Sequence, residues 1–282
     1  MLLMKLMRSL ISLNKDLVII MDNFYVITNE LKDRDHAITD RVVGCLKRLG
    51  KQVYTDLAPD NTECVIALGG DGTLIQAARD MADRDVTFVG VNMGTLGFLT
   101  DVDPSSIEDT IEKLVRGEYV IEERMMLYNL MNGIDEYWSL NDVVVTRSGP
   151  IQIIEYRIYV NDRLLSTFRA DGVLVSTPTG STGYNLSAGG PIISPMSDIM
   201  VVTPICAHTL NSRSIILPGS DRVRIEASWR GEEGCANLSF DGEENIPLKM
   251  GDYVTVTKST KTTKIIRFNQ ESFVTALSRK LI

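Results

Sequence analysis

The sequence contains little of what most metal sites and disulfide frameworks require. Only two histidines, His36 and His208, occur in 282 residues, and the four cysteines are scattered without a close pair. A His-rich metal centre is therefore excluded, and neither a zinc framework nor a dithiol motif can be drawn. Scattered cysteines are typical of reduced, buried thiols, which predicts a cytoplasmic protein.

The chain also lacks long apolar runs and an excess of positive charge. No stretch of about 18 apolar residues is present, so the sequence predicts no membrane span. The net charge is −8. Binding to nucleic acid or to anionic membranes through overall charge requires a positively charged protein. We therefore expect small-molecule partners, with neither nucleic acid nor a membrane. Phosphate groups could still bind through local backbone N–H donors.

Two patterns of secondary structure divide the sequence. From residue 24 to about 117, apolar strands alternate with helices, which predicts a mostly parallel sheet with helices on both faces. After this part of the chain, strand-like segments dominate. We predict an α/β domain over 21–120, a β-rich domain over 121–263, and a tail over 264–282 that packs back on the first domain. The active site is expected in the cleft between the domains.

Individual elements follow from periodicity and from turn residues. The predicted elements that bear on the site are helices over 35–49, 74–81 and 105–116, strands over 137–145 and 253–258, and hairpin turns at Asn132-Gly133 and Asn161-Asp162. Residues 1–20 are basic and carry no acid before Asp16, but they lack the apolar region and cleavage site of a signal peptide. We interpret them as an N-terminal extension, with a transit peptide as the alternative.

The strongest local signal is the segment Gly69-Gly70-Asp71-Gly72-Thr73, between an apolar strand and a predicted helix. Glycines let a ligand approach the backbone, and the following helix offers free N–H groups to a phosphate. The Asp71 carboxylate is costly in an anion-binding loop unless it accepts a proton from a hydroxyl group. A tight turn capped by Asp71 is the structural alternative, and for this motif alone both interpretations have equal weight. P-loop, dinucleotide-fingerprint and protein-kinase motifs are missing from the sequence.

Two further segments carry polar groups suited to a nucleotide. The run from Asp171 to Pro191 follows Arg169 and is dense in glycine and in hydroxyl side chains, namely Thr179, Ser181, Thr182, Tyr184 and Ser187. The pair Asn141-Asp142 could hold a ribose diol, because it combines an amide with a carboxylate. Taken alone, such a run is most often a plain loop and such a pair most often a turn.

Together these segments resemble the bacterial NAD kinases, over nearly the whole chain from about Phe24 to Leu281. The Gly-Gly-Asp-Gly-Thr element is shared with diacylglycerol and sphingosine kinases and, more loosely, with phosphofructokinases, so the Asp171–Pro191 run is the more specific carrier. The resemblance is also carried by residues 92–99, 141–142, 207–213, 239–242, 267–268 and 272–273.

The resemblance implies a kinase that transfers a phosphoryl group from ATP, or from polyphosphate, to the 2′-hydroxyl of the adenosine ribose of NAD. It also implies a divalent ion such as Mg²⁺, an α/β domain followed by a β-rich domain, and a homodimer or homotetramer. Asp71 is implied as the proton acceptor. The NAD-binding positions it implies are Asp71, Gly72, Phe98, Asn141, Asp142, Arg169, Asp171, Thr179, Thr182, Gly183, Tyr184 and Ser187. No dense carboxylate cluster marks a dedicated metal site, so we expect the ion to arrive with the donor phosphates.

Two positions depart from the family pattern. Asp142 stands where glutamate is more common, and Gly183 stands where alanine is frequent. Both leave open the contact geometry and the preference between NAD and NADH. The alternatives from other classes are a lipid kinase with the same loop, which the acidic charge disfavours, and a nucleotide sensor, which the presence of Asp71 disfavours.

Overall fold

The computed structural model describes residues 21–94, 97–148, 154–208, 213–229, 236–268 and 273–281. The predicted N-terminal extension, residues 1–20, lies outside the described residues. So do parts of the segments that carry the resemblance, namely Thr95, Leu96, residues 209–212 and Ser272. Within the described residues, no helix has the length and apolar character needed to cross a membrane.

Sixteen strands and five α-helices are present in the described residues. The strands are β1 Asn23–Thr28, β2 Gln52–Tyr54, β3 Cys64–Gly69, β4 Thr87–Asn92, β5 Val120–Met131, β6 Asp135–Ser139, β7 Asp142–Arg147, β8 Ile154–Val160, β9 Arg163–Ala170, β10 Gly172–Ser176, β11 Ile199–Ile205, β12 Ile215–Pro218, β13 Val223–Ser228, β14 Ala236–Phe240, β15 Glu243–Leu248 and β16 Tyr253–Arg267. The helices are α1 Ala37–Arg48, α2 Asp71–Asp80, α3 Ile107–Arg116, α4 Tyr184–Ser187 and α5 Phe273–Leu281, with 3₁₀ turns at Pro104–Ser106 and Gly180–Thr182.

The first half of the chain builds a parallel layer in which β2, β1, β3 and β4 lie side by side. Side chains alternate between the two faces of each strand. Ile66 and Leu68 of β3 therefore join the core beneath α1 and α3, while Val65 and Ala67 join the core beneath α2. Burial on both faces explains the continuous apolar sequence of β3. The predicted parallel sheet with helices on both faces is confirmed.

The second half forms a β-sandwich. One sheet has the order β12-β11-β10-β7-β14-β15, and its neighbouring strands are all antiparallel. It packs against the antiparallel strands β5, β8, β13 and β16 of the other sheet, around a core that includes the fully buried Tyr156 and Phe240. The predicted β-rich second part is confirmed.

A long antiparallel ribbon of β5 and β16 joins the two halves. Their pairing runs from Val254 opposite Met131 to Arg267 opposite Val120, with an irregularity between Lys258 and Thr262. Near its end β16 also pairs in parallel with β4, through Lys264 and Ile265, so one sheet of ten strands spans both halves. The strand predicted over 253–258 is therefore too short. The polar residues that follow it show no alternation of apolar and polar side chains, although threonine favours strands. The division into domains stays a prediction.

Other elements differ locally from the prediction. The strand predicted over 137–145 is wrong as one element, because β6 ends at Ser139 and β7 begins at Asp142. The helix predicted over 74–81 begins three residues earlier, at Asp71. The strands β9, β12 and β15 were not predicted. Both hairpin turns are confirmed by left-handed backbone, with φ values of 51° and 74° at Asn132-Gly133 and of 49° and 65° at Asn161-Asp162.

Two glycine-to-alanine changes test the close packing of β4 against the loop that follows it. A Cβ on Gly90 would lie 2.9 Å from the Cα of Thr100 and 2.7 Å from its Cγ2, so backbone must move. We expect Gly90→Ala to lower the free energy of unfolding by about 1–3 kcal/mol. As a control, Gly44→Ala in α1 meets only Arg48 Nη1 at 3.7 Å and should raise stability by about 0.5–1 kcal/mol. Urea denaturation measures both, and shifts of the same sign would contradict this packing.

Candidate active site

The Gly69–Thr73 segment forms the turn between β3 and α2, at the carboxyl edge of the parallel sheet. Gly70 occupies the N-cap position with extended backbone, and Asp71 is the first residue of the helix. Gly69 is buried, and a Cβ there would lie 2.2 Å from Oγ1 of Thr73, so a side chain would prevent the turn from closing. Asp71 is thus a first-turn residue and not the cap. Its carboxylate must be held by another part of the chain.

A loop after β4 holds the carboxylate of Asp71. Oδ2 accepts the N–H of Phe98 at 2.7 Å, and Oδ1 accepts the N–H groups of Leu99 at 3.1 Å and Thr100 at 3.0 Å. The hydroxyl of Thr100 donates to Oδ1 as well, at 2.9 Å. A Cβ on Gly97 would lie 1.9 Å from Oδ1, so glycine is required for this approach. Of the four bonds Oδ2 takes one, which leaves it lone-pair capacity for a further donor.

The Asn141-Asp142 pair is bound to the glycine- and hydroxyl-rich run after β10. Oγ1 of Thr177 donates to the carbonyl of Leu140 at 2.6 Å, and the N–H of Thr177 donates to the carbonyl of Asn141 at 2.8 Å. A Cβ on Gly180 would lie 2.2 Å from that carbonyl oxygen. At Gly183 a Cβ would lie 3.5 Å from Nδ2 of Asn141. The two sequence motifs therefore form one structural unit.

Asp241 explains why the chain breaks between β6 and β7. Its carboxylate accepts the N–H groups of Leu140 at 2.8 Å, Asn141 at 2.7 Å and Asp142 at 3.0 Å. These N–H groups are turned toward the carboxylate. Asp241 lies in the turn between β14 and β15 with a φ of 52°. The sequence analysis included it only within a segment that carries the resemblance, and the structure makes it the organiser of the Asn141-Asp142 pair.

Asp142 and Asp241 are neighbouring carboxyl groups, of which Asp142 is buried and Asp241 is partly accessible. Burial, together with the charge of Asp241, raises the pKa of Asp142 to about 7. Burial also raises the pKa of Asp241 to about 6, against the opposing effect of its three N–H donors and of Arg79. Like charges in a desolvated site disfavour double ionisation. Near neutral pH the pair therefore retains a share of protons that exposed carboxyl groups would have lost.

A cavity of about 450 Å³ separates the loop that holds Asp71 from the Asp171–Pro191 run. Phe98 lies on one side, and Thr179 and Thr182 lie on the other. Phe273 of α5 closes one end, with its ring centroid 6.2 Å from that of Phe98. Three predicted NAD-binding positions thus line a single, partly aromatic cavity.

Two smaller cavities adjoin Asp241. The first, of about 310 Å³, is lined by Asn141, Asp142 and Tyr184, together with Asp241 and Gly242. The second, of about 290 Å³, has Asn29, Lys32, Gly70, Gly72, Thr73, Ile75, Gln76, Arg79, Asp241 and Glu243 in its wall. This second cavity lies at the first turn of α2, where three of the four predicted phosphate-loop residues are found. The fourth, Gly69, is buried within the turn.

Arg169 and Asp171 lie at the other end of the sandwich. Asp171 accepts a hydrogen bond from Nε of Arg147 at 2.9 Å, at the Gly172 end of β10, whereas Asp142 is paired with Ser176 at the opposite end. The length of the strand places about 16 Å between the two ends. Arg169 and Ser187 are exposed. Tyr184 is exposed and lines one cavity together with Asn141 and Asp142.

The structure adds cationic residues that the sequence analysis missed. Nζ of Lys32 lies 3.0 Å from the position of a Cβ on Gly70, and Arg79 donates to the carbonyl of Phe240 at 3.2 Å. Lys280 of α5 lies over the ring of Phe98, with Nζ 3.7 Å from its centroid. Burial lowers the pKa of Lys280, and the charge of Asp71 opposes this shift. None belongs to a local motif, so only the folded chain reveals them.

Comparison with known proteins identifies the family. The model of the ATP-NAD kinase N-terminal domain matches residues 17–119, and that of the ATP-NAD kinase C-terminal domain matches residues 140–268. An NAD kinase of Lachnospira eligens is 43% identical, over 93% of this chain and 100% of the relative. An NAD kinase of Agathobacter rectalis is 38% identical, over 93% of this chain and 99% of the relative.

Solved structures share the fold. A yeast NADH kinase complexed with NADH superposes with a TM-score of 0.82 at 21% identity, covering 93% of this chain and 87% of the other. An NAD kinase from Archaeoglobus fulgidus in complex with ATP gives a TM-score of 0.77 at 23% identity, with 91% and 99% covered. With both family models matched and relatives alike over nearly their whole length, the chain belongs to the ATP-NAD kinase family, whose members phosphorylate NAD.

Proposed function

We propose that this chain phosphorylates the 2′-hydroxyl of the adenosine ribose of NAD with ATP, and that the reaction takes place at Asp71. The observation that carries the proposal is the position of this carboxylate. It stands at the first turn of α2, held by the loop that lines the aromatic cavity, and the cationic cavity with Lys32 and Arg79 opens at the same turn. A proton acceptor therefore lies where an acceptor substrate and a phosphate donor can meet.

The aromatic cavity is the proposed site of the adenosine of NAD. The ring of Phe98 offers a face for an aromatic base, while Thr179 and Thr182 offer hydroxyl groups across the cavity. Asn141, Asp142 and Tyr184 line the neighbouring 310 Å³ cavity and would hold the remaining ribose and phosphate groups of NAD. This assignment is supported by the resemblance, which implies NAD contacts at the same five positions and at Phe98.

The proposed chemical step is a direct phosphoryl transfer. Asp71 accepts the proton of the ribose 2′-hydroxyl as that oxygen bonds to the γ-phosphorus of ATP, and the bond from this phosphorus to the bridging oxygen breaks to release ADP. The four hydrogen bonds from the loop after β4 hold the carboxylate of Asp71 in one orientation. The proton acceptor is therefore fixed in place before the substrate binds. The product is NADP.

The cationic cavity is the proposed site of the donor phosphates. The first turn of α2 presents N–H groups and the positive end of the helix dipole. Lys32 and Arg79 bring two positive charges into a wall that also holds Asp241 and Glu243, and Arg79 pairs with Glu243. Among the described residues, no three His, Cys, Asp or Glu side chains lie together as a metal site. Asp241 lies in the wall of this cavity, and a single carboxylate fits a Mg²⁺ ion that would arrive with the phosphates and be held through Asp241, an arrangement this ion favours. The ion would neutralise charge on the transferred group.

The oligomeric assembly of the chain and its cellular location are also proposals. Arg169 and Asp171 are NAD positions by resemblance, yet they lie about 16 Å along the strand from Asp142. Their exposure makes them available to the NAD site of a second subunit, which supports the homodimer or homotetramer. A cytoplasmic location stays a prediction from composition. Family membership argues against both the lipid kinase and the sensor.

Asp71→Asn tests the proposed proton acceptor. We expect kcat for NADP formation to fall by about 10²–10⁴-fold, because the amide cannot accept the proton, while NAD still binds within about threefold of the native affinity. A coupled NADP assay with ATP and with polyphosphate, together with calorimetric NAD titration, measures both quantities. Asp83→Asn, at an exposed position after α2, is the matched control and should retain native turnover. Turnover by Asp71→Asn at the native rate would overturn the assignment.

Lys32→Met tests the donor site. Loss of one charge beside the phosphates should raise KM for ATP by about tenfold, equal to about 1.4 kcal/mol, and leave KM for NAD unchanged. Lys47→Met removes an exposed lysine from the last turn of α1 and is the control. An increase in KM for NAD in place of KM for ATP would show that the cationic cavity holds the acceptor.

Asp142→Asn tests the carboxyl pair of Asp142 and Asp241. The pKa of Asp142 is about 7 in the folded chain, against an ordinary value of 3.8, so between these pH values the folded state binds more protons than the unfolded state. Stability therefore decreases as pH rises through this window. We expect the variant to flatten that decrease and to gain about 1 kcal/mol, or about 2–4 °C in Tm, at pH 7.5. Thermal unfolding from pH 5 to 8 measures it, and a variant less stable than the native chain at pH 7.5 would contradict the assigned shift.

A further inference from the structure

A second layer lies behind the loop that holds Asp71. Arg267, the last residue of β16, is 7% exposed, and its guanidinium group donates to two consecutive backbone carbonyls. Nη1 donates to the carbonyl of Leu99 at 2.8 Å, and Nη2 donates to the carbonyl of Phe98 at 2.9 Å. The planar fork of arginine suits two such acceptors at once.

The same two peptide groups bind Asp71 from the other side. In the peptide group between Phe98 and Leu99, the carbonyl accepts a hydrogen bond from Nη2 of Arg267. The N–H of the same peptide group donates to Asp71 at 3.1 Å. The next peptide, between Leu99 and Thr100, accepts Nη1 and donates to Asp71 at 3.0 Å. Each peptide group is therefore held between a guanidinium and a carboxylate. Because a hydrogen bond at the carbonyl polarises the N–H of the same amide, the two layers reinforce each other.

The charges around Arg267 account for its burial. Asp101 lies 3.3 Å from Nη1, and Glu122 lies 3.1 Å from Nε and also pairs with Arg124. These four side chains carry two positive and two negative charges, so the cluster has no net charge at neutral pH. Lys280 is the further cation whose charge interacts with Asp71. The bonds from Arg267 to the loop are thus additional to its ion pairs.

We propose that Arg267 is a positioning residue for Asp71, acting through the two peptide groups on either side of Leu99. This rests on the proposed role of Asp71 as proton acceptor. Arg267 fixes the peptide planes, the planes fix the carboxylate, and the carboxylate receives the ribose proton. A displacement of the loop by a fraction of an ångström would misalign the acceptor. Arg267 also lines the aromatic cavity, so a smaller effect on KM for NAD is expected as well. The loss should therefore fall on kcat more than on KM for NAD.

Arg267→Lys and Arg267→Ala test the proposal. The lysine variant keeps a positive charge between Asp101 and Glu122, and so protects the fold, but a single ammonium cannot reproduce the fork. We expect kcat to fall by about 10- to 100-fold, with KM for NAD within about threefold of native. Added guanidinium salt at tens of millimolar should restore part of the kcat of the alanine variant, because it refills the vacated position. The lysine variant decides the question if the alanine variant does not fold.

A matched control and a double variant separate this proposal from the proposed function. Arg84 also donates to two consecutive carbonyls, those of Ala58 at 3.0 Å and Pro59 at 3.2 Å, but outside the cleft. Arg84→Lys should keep native kcat within about twofold. In the Asp71→Asn background, Arg267→Lys should cause no further loss, because both residues act through one carboxylate.

The outcomes are distinguishable. Native kcat in Arg267→Lys, a loss confined to KM for NAD, or a full additional loss in the double variant would overturn the positioning role while leaving Asp71 as proton acceptor. Native turnover in Asp71→Asn alone would overturn the proposed function itself.

Discussion

The pairing of β5 with β16 is the constraint on which the arrangement of the site depends. One end of this ribbon belongs to the parallel layer through β4, and the other belongs to the sandwich through β13. The Asp71 loop belongs to this ten-stranded sheet, whereas the Asp171–Pro191 run follows β10 of the six-stranded sheet, which packs on the ribbon through the sandwich core. Backbone hydrogen bonds fix spacing and register along the ribbon, and the packing of the six-stranded sheet on it then places the Asp171–Pro191 run opposite the Asp71 loop.

Two carboxylates build the site in the same way. Asp71 gathers three backbone N–H groups from the loop after β4, and Asp241 gathers three from the break between β6 and β7. In each cluster the carboxylate accepts hydrogen bonds from backbone N–H groups that would otherwise need partners in a neighbouring strand. The bonds hold the irregular backbone rigidly without a metal or a disulfide. Both carboxylates are partly accessible, and Asp241 lines two cavities, so each combines support of the backbone with a position open to a ligand.

The sequence predicts the parallel layer, the glycine-containing turn and the individual motifs, because each depends on local periodicity or on residues adjacent in the chain. It could not predict the break at Leu140, which is caused by a carboxylate about a hundred residues away. The strand over 253–258 is predicted too short, because the alternation of β16 fades among threonines and lysines after Lys258. Lys32 and Lys280 reach the site only through tertiary contacts, so no spacing in the sequence could reveal them. Arg267 stands in a segment that carries the resemblance, but its bonds to the Asp71 loop appear only in the folded chain.

The place of β16 between β4 and β13 also has a consequence for the order of events during synthesis. The parallel layer gains its last strand only when residues near 264 have emerged from the ribosome, although its other strands lie within the first hundred residues. Contacts of such sequence separation form late and slowly. A nascent chain must therefore keep the exposed edge of β4 from pairing with other chains, which makes this edge a natural point for chaperone protection or for aggregation in cells.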